Sequence, residues 1–305
     1  MFSSTVRWSL VAALAALLLL PFAAEAKKRE VKPGTGTLQK AVDKAKPGDK
    51  LVLKASKTYR GGVEVDKELT IKGPSDGKKL PTVDGRCREA FTMLVYGDPV
   101  TLKNFKVTGA SDAAAGQYGG AEVNFIDGAS GSAQDLRLRA TCDVLYGVNV
   151  FDTDDVLVSG GTYEGYDDAG VYVGGIRRTA SVVEVTGTTS TGNNRGIIIE
   201  DSAENVDILV ANNTTNGNDI GFNPTGIFVH NADGVEFSGN VANGNTGPGI
   251  WLDSASDGNV LLDNQASGNG GPQDSEPADL QNDGFGNCGN GNAFGTEQGN
   301  PLGAC

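Results

Sequence analysis

The chain has 305 residues, 44 of them glycine, and a formal net charge of −13 at pH 7. This charge argues against a nucleic-acid partner, and a polyanionic polysaccharide would be repelled unless a cation or a local basic patch mediated the contact. Glycine at this frequency predicts many turns.

The N-terminal segment has the pattern of a secretory signal peptide. Arg7 precedes an unbroken small and apolar run over residues 10–24, and the sequence AEA at 24–26 has the small-x-small form of a cleavage site. The run is short for a membrane span, and no later segment is apolar enough to cross a membrane. We expect a signal peptide at 1–26, a mature chain at 27–305, and a secreted protein that is extracellular or periplasmic. A retained N-terminal anchor is the alternative.

The mature chain begins with a predicted amphipathic helix over about 37–46. Thr37 is the expected N-cap, and Pro47-Gly48 ends the helix. One helical face is apolar: Leu38, Ala41, Val42 and Ala45. Such a helix suits a cap over the open end of a repeat core, which would otherwise expose apolar groups and strand edges.

Five phrases of the form Gly-apolar-x-apolar follow: GVNV at 147, GVYV at 170, GIII at 196, GIFV at 226 and GIWL at 249. The alternation predicts short strands with one buried face, and a second alternating strand follows each phrase before a Gly/Asn/Thr/Ser turn. A unit of 23 to 30 residues cannot bury its apolar face alone, whereas units stacked in parallel can. The pattern predicts an all-β, single-stranded parallel β-helix, a solenoid, over 27–270. Propeller blades are longer, and leucine-rich repeats carry Leu-dominated phrases with a helix.

The turns predict two columns of stacked asparagines. Their members are Asn213, Asn240 and Asn264 in one column and Asn218, Asn245 and Asn269 in the other. Side-chain amides at the coil repeat can form a hydrogen-bonded ladder. Upstream coils place Thr162 and Thr188 in the first column. The pattern ends after 270, so we expect an irregular C-terminal wrap over 271–305.

Four cysteines in an exported chain indicate two disulfides. Cys288 with Cys305 closes a short loop within the C-terminal segment. Cys87 with Cys142 is the remaining pair, but strict stacking puts these residues two coils apart, at about 9.6 Å, beyond the usual Cα separation of a disulfide. That bridge requires a displaced turn, for which the insertion GASDAAAGQYGG at 109–120 offers room.

The opening TLQKAVDKAKPGDKLVLKASKTYRGGVEVDKELTIKG, the TVDG at 82–85 and the coil GIFVHNADGVEFSGNVANGN resemble right-handed parallel β-helix proteins of the pectin-lyase-like superfamily. The resemblance covers about 35–270 and implies right-handed coiling. It also implies a carbohydrate-active context, since the superfamily includes polysaccharide lyases, uronan epimerases, polygalacturonases and non-catalytic relatives. The chain lacks the GHG and RIK phrases of polygalacturonases, the DPH phrase of mannuronan epimerases and the WIDH phrase of classical pectate lyases. Catalysis must therefore be argued from the site itself.

Three groups of polar residues are candidates for chemistry. Five aspartates offer hard oxygen ligands for Ca²⁺, although Asp is also a common turn residue: Asp152, Asp154, Asp155, Asp167 and Asp168. Arg177 and Arg195 can hold a uronate carboxylate or act as bases in elimination, or be structural. His230, the one histidine, lies in register between Glu200 and Asp253, an arrangement that suits acid/base catalysis but is also found among solvated strand ends.

The outward residues of the first strand form a predicted binding surface. Successive coils place one residue each in a column: Asn149, Tyr172, Ile198, Phe228 and Trp251. An adjacent row carries Phe151, Gly174, Glu200, His230 and Asp253. Aromatic faces suit sugar rings, and the polar row suits hydroxyls or acid/base work. The alternative is that the C-terminal wrap covers the column through Phe285 or Phe294.

Two functional classes fit these features. One is an exported enzyme, a polysaccharide lyase, epimerase or glycoside hydrolase, that binds polysaccharide along the outer face of its first strand. The other is a non-catalytic β-helix that binds a surface glycan or serves as a structural module. Calcium is the one cofactor that the sequence suggests, and the sequence leaves the oligomeric state open.

Overall fold

The computed structural model describes residues 26–97, 99–115, 119–178, 180–202, 206–221, 224–270 and 278–305. The predicted signal peptide lies outside the described residues, except for Ala26 at its end. The described residues form a right-handed parallel β-helix, as predicted. Most coils contribute one strand to each of three stacks, and all strand pairs between coils in the described residues are parallel.

We name the three stacks the front, back and side sheets. The front sheet contains β5 Val63–Val65, β8 Phe91–Val95, β11 Ala121–Phe125, β14 Tyr146–Phe151, β17 Ala169–Gly174, β20 Arg195–Ser202, β22 Thr225–Ala232, β25 Ile250–Leu252, β28 Leu280–Asn282 and β31 Glu297–Gly299. The back sheet contains β1 Lys28–Val31, β3 Lys50–Leu53, β6 Leu69–Lys72, β9 Val100–Lys103, β12 Gly131–Gln134, β15 Val156–Ser159, β18 Val182–Thr186, β21 Asp207–Ala211, β23 Glu236–Ser238, β26 Val260–Leu262, β29 Cys288–Asn290 and β32 Gly303–Ala304. The side sheet contains β2 Gly34–Thr35, β4 Thr58–Arg60, β7 Thr82–Glu89, β10 Lys106–Ala110, β13 Arg137–Arg139, β16 Thr162–Glu164 and β19 Thr189–Thr191, and continues through bridges at Thr214 to β24 Val241–Asn243, β27 Gln265–Ser267 and β30 Ala293–Phe294.

The glycine that opens each repeat phrase is required by contact between coils. A Cβ on Gly226 would lie 2.4 Å from the carbonyl oxygen of Gly249, the equivalent residue one coil on. The same contact recurs at Gly147 and Gly196. Packing between coils, rather than a left-handed backbone, therefore explains the glycine before the front strand.

The alternating apolar residues of the three sheets fill one continuous core. In the front sheet, Ile227, Val229 and Ile250 are fully buried, as the alternation predicts. Large aromatic side chains from other stretches, such as Tyr163 and Phe237, fill the space between the sheets. At about 25 cal/mol for each Å² of apolar surface, stacking of the coils is the main stabilising term.

Both predicted asparagine ladders are present and buried. Asn213 Nδ2 donates to Asn240 Oδ1 at 3.0 Å, and Asn240 Nδ2 donates to Asn264 Oδ1 at 2.9 Å. The second ladder has the same geometry between Asn218 and Asn245, at 2.9 Å. In each case the acceptor oxygen also receives the backbone N–H of the asparagine one coil earlier. The ladders thus satisfy buried turn amides that would otherwise lack partners.

The first ladder begins one coil later than predicted, at Thr188 and not at Thr162. Thr188 Oγ1 donates to Asn213 Oδ1, so Thr188 extends the column. Thr162 instead pairs in register with Thr189 and is exposed, so it is not a member.

The N-terminal helix, α1, spans Thr37–Lys44. Its N-cap is Gly36, at φ 64°, and not Thr37, whose hydroxyl donates to the carbonyl of Gly34. Leu38 and Val42 are buried and belong to the core cluster. The role of the helix as a cap over the end of the core remains a prediction. A second helix, α2, spans Asp112–Ala115 within the insertion after β10.

The C-terminal segment is more regular than the sequence predicts. From Leu280 onward, β28 to β32 continue the three sheets in parallel, so the expected irregular wrap over 271–305 is wrong for this part. The segment is held by the disulfide between Cys288 and Cys305, with Cα atoms 5.1 Å apart. Residues 271–277 lie outside the described part of the chain.

Cys87 and Cys142 also form a disulfide, with Cα atoms 5.8 Å apart. The displacement that this bridge requires lies in β7. There Thr108 pairs with Asp84 and Ala110 pairs with Glu89, so residues 85–88 bulge out of register. The bulge carries Cys87 towards the second coil on. Two disulfides indicate an oxidising compartment. Among the described residues, no helix is long and apolar enough to span a membrane.

Candidate functional site

The predicted outward column exists on the front sheet. Parallel pairing places Asn149 next to Tyr172, then Ile198, Phe228 and Trp251. The phenyl ring of Phe228 and the indole of Trp251 have centroids 4.8 Å apart. Both are half-buried, while Ile198 between Tyr172 and Phe228 is only 2% exposed. The column is therefore a continuous apolar strip with aromatic side chains at its surface.

The segment after 277 does not supply the cover that the alternative required. Phe285 is 66% exposed, and Phe294 lies in β30 of the side sheet, where it packs against the core. Trp251 is instead anchored at its edge, because its Nε1 donates to Asp283 at 3.0 Å. This hydrogen bond fixes the indole while its face remains half-exposed.

The three predicted acid/base residues meet in the row beside the column. His230 Nδ1 is hydrogen-bonded to Asp253 Oδ2, and His230 Nε2 lies 3.9 Å from Glu200 Oε1. The side chains of His230, Glu200 and Asp253 are 44%, 33% and 16% exposed. Strand pairing of β20 with β22 places Glu200 beside His230, and the turn after β25 supplies Asp253.

Asp253 is held as an ionised acceptor. Burial alone would raise its pKa, but hydrogen bonds from Ser256, His230 and the backbone N–H groups of Ala255 and Asn231 outweigh burial and lower the pKa below its usual value. The carboxylate is hydrogen-bonded to His230 Nδ1, which leaves Nε2 on the side of the ring that faces Glu200. A carboxylate that orients a histidine in this way is a general-base arrangement.

A second aromatic pair lies upstream in the same sheet. The ring centroids of Tyr146 and Tyr172 are 4.8 Å apart. Burial, followed by the negative charges of Asp168 and Glu200, raises the pKa of the Tyr146 hydroxyl. Burial, followed by the charge and hydrogen bond of Glu200, raises the pKa of Tyr172. Both hydroxyls stay protonated, and Glu200 thereby joins the tyrosine pair to His230.

Arg195, predicted to bind substrate, already has two partners in the structure. Its guanidinium is paired with Asp168, and its Cζ lies 5.0 Å from the centre of the Phe228 ring. The arginine orders Phe228 by a cation–π contact. Arg177, the other predicted substrate-binding arginine, is exposed in the turn after β17.

The five aspartates predicted to hold calcium do not converge. Arg178 lies within ion-pair distance of Asp152 and Asp154, and Asp155 accepts the backbone N–H of Val182. Asp168 is paired with Arg195, while the pKa of Asp167 is raised by burial and by neighbouring carboxylates. Across the described ranges, no group of three or more His, Cys, Asp or Glu residues is placed to hold a metal ion.

A groove that the sequence did not predict opens at the upstream end of the column. Its volume is about 580 Å³. Aromatic lining comes from Phe91, Tyr146, Phe151 and Tyr172, and polar lining comes from Asn124, Asn149 and Asp127. Asn149 Nδ2 donates to Asn124 Oδ1 at 2.8 Å, which continues the column as an amide pair. Ala114 and Ala115 of α2 form one wall, so the insertion at 109–120 was the signal in the sequence.

Solved structures similar to the chain include a pectate lyase, an alginate lyase and an alginate epimerase. The pectate lyase Pel9A matches with a TM-score of 0.62 and 11% identity, over 90% of this chain and 80% of that one. An alginate lyase from Paenibacillus sp. FPU-7 matches at 0.45 and 17%, over 86% and 99%. The periplasmic alginate epimerase AlgG matches at 0.40 and 14%, over 90% and 82%. At these identities the similarity shows the fold alone.

No curated protein matches the chain. A family model does match, over residues 122–291, and its description is "Periplasmic copper-binding protein (NosD)". The match covers more than half of the 305 residues. The chain therefore belongs to the NosD family.

Proposed function

We propose that this member of the NosD family is an exported β-helix that binds polysaccharide along the outward face of its front sheet. The observation that carries the proposal is the column itself. Tyr172, Phe228 and Trp251 lie in the column, partly exposed and flanked by polar groups, and the Tyr146 ring packs against Tyr172 from the start of β14. Sugar rings stack on such faces, and coils about 4.8 Å apart repeat the contact along an extended chain.

The copper of the family description does not fit the residues present. Copper sites in proteins use His, Cys and Met. The chain has one histidine, which is hydrogen-bonded to Asp253, and its four cysteines form two disulfides. Of the two methionines, Met1 lies outside the described residues and Met93 is fully buried in the core.

The binding proposal is tested by removing single aromatic side chains from the column. Trp251→Ala and Tyr172→Ala should each weaken retention on immobilised glycan, while circular dichroism and the urea midpoint show that the fold is kept. Phe285→Ala is the matched control, since it removes an exposed aromatic ring outside the column. Unchanged retention in both column variants, or equal loss in the control, contradicts the proposal.

Catalysis on the bound chain is a second candidate, favoured by the geometry at His230. In this proposal Nε2 of His230 removes a proton from the substrate, Asp253 stabilises the imidazolium, and Glu200, 3.9 Å from Nε2, takes part in the proton transfer beside it. The reaction is then a lyase, epimerase or hydrolase step, and the alternative is a binding module without turnover.

One variant distinguishes an enzyme from a binding module. His230→Gln keeps the size and polarity of the row and removes the base. If the protein is an enzyme, the variant retains glycan and loses the turnover of the wild type: unsaturated products and reducing ends for a lyase, reducing ends alone for a hydrolase, and a changed uronate composition for an epimerase. If the wild-type chain retains glycan and turns over no member of a panel of uronans and neutral glycans, it is a binding module.

A further inference from the structure

The lysines and arginines of the strands lie almost entirely in the back and side sheets, whereas carboxylates occur in all three sheets. The ten strands of the front sheet contain one arginine and no lysine, against five carboxylates: Glu64, Glu122, Glu200, Asp201 and Glu297. Of these, Glu122 is buried inside the coil. The strands of the back and side sheets carry the cations: Lys28, Arg29, Lys50, Arg60, Lys72, Arg86, Arg88, Lys103, Lys106, Arg137 and Arg139.

The arginine and the histidine of the front strands already have partners. Arg195 is paired with Asp168 and covered by the Phe228 ring, and His230 is bonded to Asp253. The described lining of the groove contains no Lys, Arg or His and includes one carboxylate, Asp127. A sugar carboxylate placed there would lose water and meet negative charge. The guanidinium beside Gly128, that of Arg178, is already paired with Asp152 and Asp154.

The same groups are suited to the opposite charge. The Glu200 side chain is one-third exposed beside Tyr172 at the downstream end of the groove, and Asp127 lies in its lining. A sugar with a protonated amine can donate hydrogen bonds from the ammonium group to the carboxylate at either position. The apolar face of the same ring then stacks on the tyrosine pair.

We propose that the groove at Phe91, Tyr146 and Tyr172 is a subsite for a sugar ring without a carboxylate, and that it holds rings with a protonated amine most tightly. This inference rests on the proposed glycan binding and adds the class of substrate to it. On this inference, the negative charge of the front sheet, and not the fold, distinguishes the chain from a protein that binds uronans.

The test compares three hexasaccharides of equal length on the mature chain by calorimetry: glucosamine, N-acetylglucosamine and galacturonate oligomers. We expect glucosamine to bind most tightly, N-acetylglucosamine more weakly, and galacturonate not measurably. Added salt should narrow the difference between the two amino-sugar ligands, because it screens the partly exposed carboxylates.

A double variant locates the preference. Asp127→Asn with Glu200→Gln should lower the affinity for the glucosamine oligomer about tenfold or more and leave the N-acetylated one nearly unchanged. Two substitutions of equal charge on the exposed back-sheet residues Asp207 and Glu236, Asp207→Asn and Glu236→Gln, form the control and should change neither. Tightest binding of galacturonate, or an unchanged preference in the double variant, overturns this inference and leaves glycan binding standing. If neither these oligomers nor any polysaccharide binds, the proposed function fails, and this inference fails with it.

Discussion

Glu122 occupies a position that the repeat reserves for glycine. Strand pairing aligns it with Gly147 one coil on and with Thr92 one coil before. Its carboxyl group is fully buried, and Oε2 accepts the Thr92 hydroxyl at 2.8 Å and the Ala110 N–H at 3.2 Å. Oε1 has no hydrogen-bond partner. Burial raises the pKa of Glu122 from 4.5 to about 7, and these hydrogen bonds only partly offset it.

The raised pKa predicts that the fold loses stability as pH increases. Because the folded-state pKa lies above the unfolded one, the native chain binds the proton more tightly. The contribution is therefore full below about pH 4.5 and is lost as pH rises through about 7. The difference between 7 and 4.5, at about 1.4 kcal/mol for each pH unit, corresponds to about 3 kcal/mol.

Glu122→Gln is the perturbation that isolates this effect. The amide oxygen can still accept from Thr92 and Ala110, so the substitution removes the ionisation and keeps the acceptor. Urea unfolding from about pH 4.5 to about pH 8 should show similar stability of both proteins at the acid end and a variant more stable by about 3 kcal/mol at the alkaline end. Glu236→Gln, exposed on the back sheet, should follow the wild type. An identical pH dependence in wild type and Glu122→Gln refutes the reasoning.

Three further predictions concern the architecture. Asn240→Ala removes one rung of a buried ladder and leaves Val210 O and the Asn213 amide without a partner, so urea unfolding should show a loss of roughly 3 kcal/mol. Asn243→Ala, at a half-buried position of the strand that follows Asn240, should cost less. Gly226→Ala places a Cβ 2.4 Å from the Gly249 carbonyl and should lower the free energy of unfolding by about 1–3 kcal/mol, while Gly244→Ala, where a Cβ meets no neighbour, tests backbone strain alone. The loop closed by Cys87 and Cys142 is longer than the one closed by Cys288 and Cys305, so removing the first bridge should cost about 4 kcal/mol and removing the second about 3, and the native wild-type chain should show no free thiol on labelling.

Periodicity was enough to predict the fold and the outward column. The two-residue period of a strand places Phe228 and Trp251 on the outer face of their coils. Parallel stacking of these adjacent coils then makes the two residues neighbours. The same logic predicted both asparagine ladders, because three turns align without gaps. These features depend only on what repeats.

Features that do not repeat were missed. The last coils carry few apolar residues, so strands such as Cys288–Asn290 have no alternation to detect, although they pair as regularly as the others. The bulge at 85–88 cannot be inferred from the pattern of β7, and without it Cys87 does not reach Cys142. The groove depends on an insertion between coils, and a repeat pattern does not say where an insertion folds.

The candidate site was predicted in part for the same reason. Register alone placed Glu200, His230 and Asp253 side by side, and the structure brings them together. The aspartates proposed for calcium lie in turns, where register carries no information, and their partners come from elsewhere, as with Arg178 at Asp152.

A chain expressed from residue 27 carries its own probe of the central claim. Of the two tryptophans in the sequence, Trp8 precedes the predicted cleavage site, so Trp251 is the single indole of the chain that begins at residue 27. The decisive measurement is the fluorescence of Trp251 and its quenching by acrylamide during titration with a glycan that the protein retains. If the column binds the glycan, the emission shifts and quenching falls, with saturation at the same concentration as retention. Saturating retention with unchanged emission and quenching of Trp251 would place the glycan elsewhere and contradict the account.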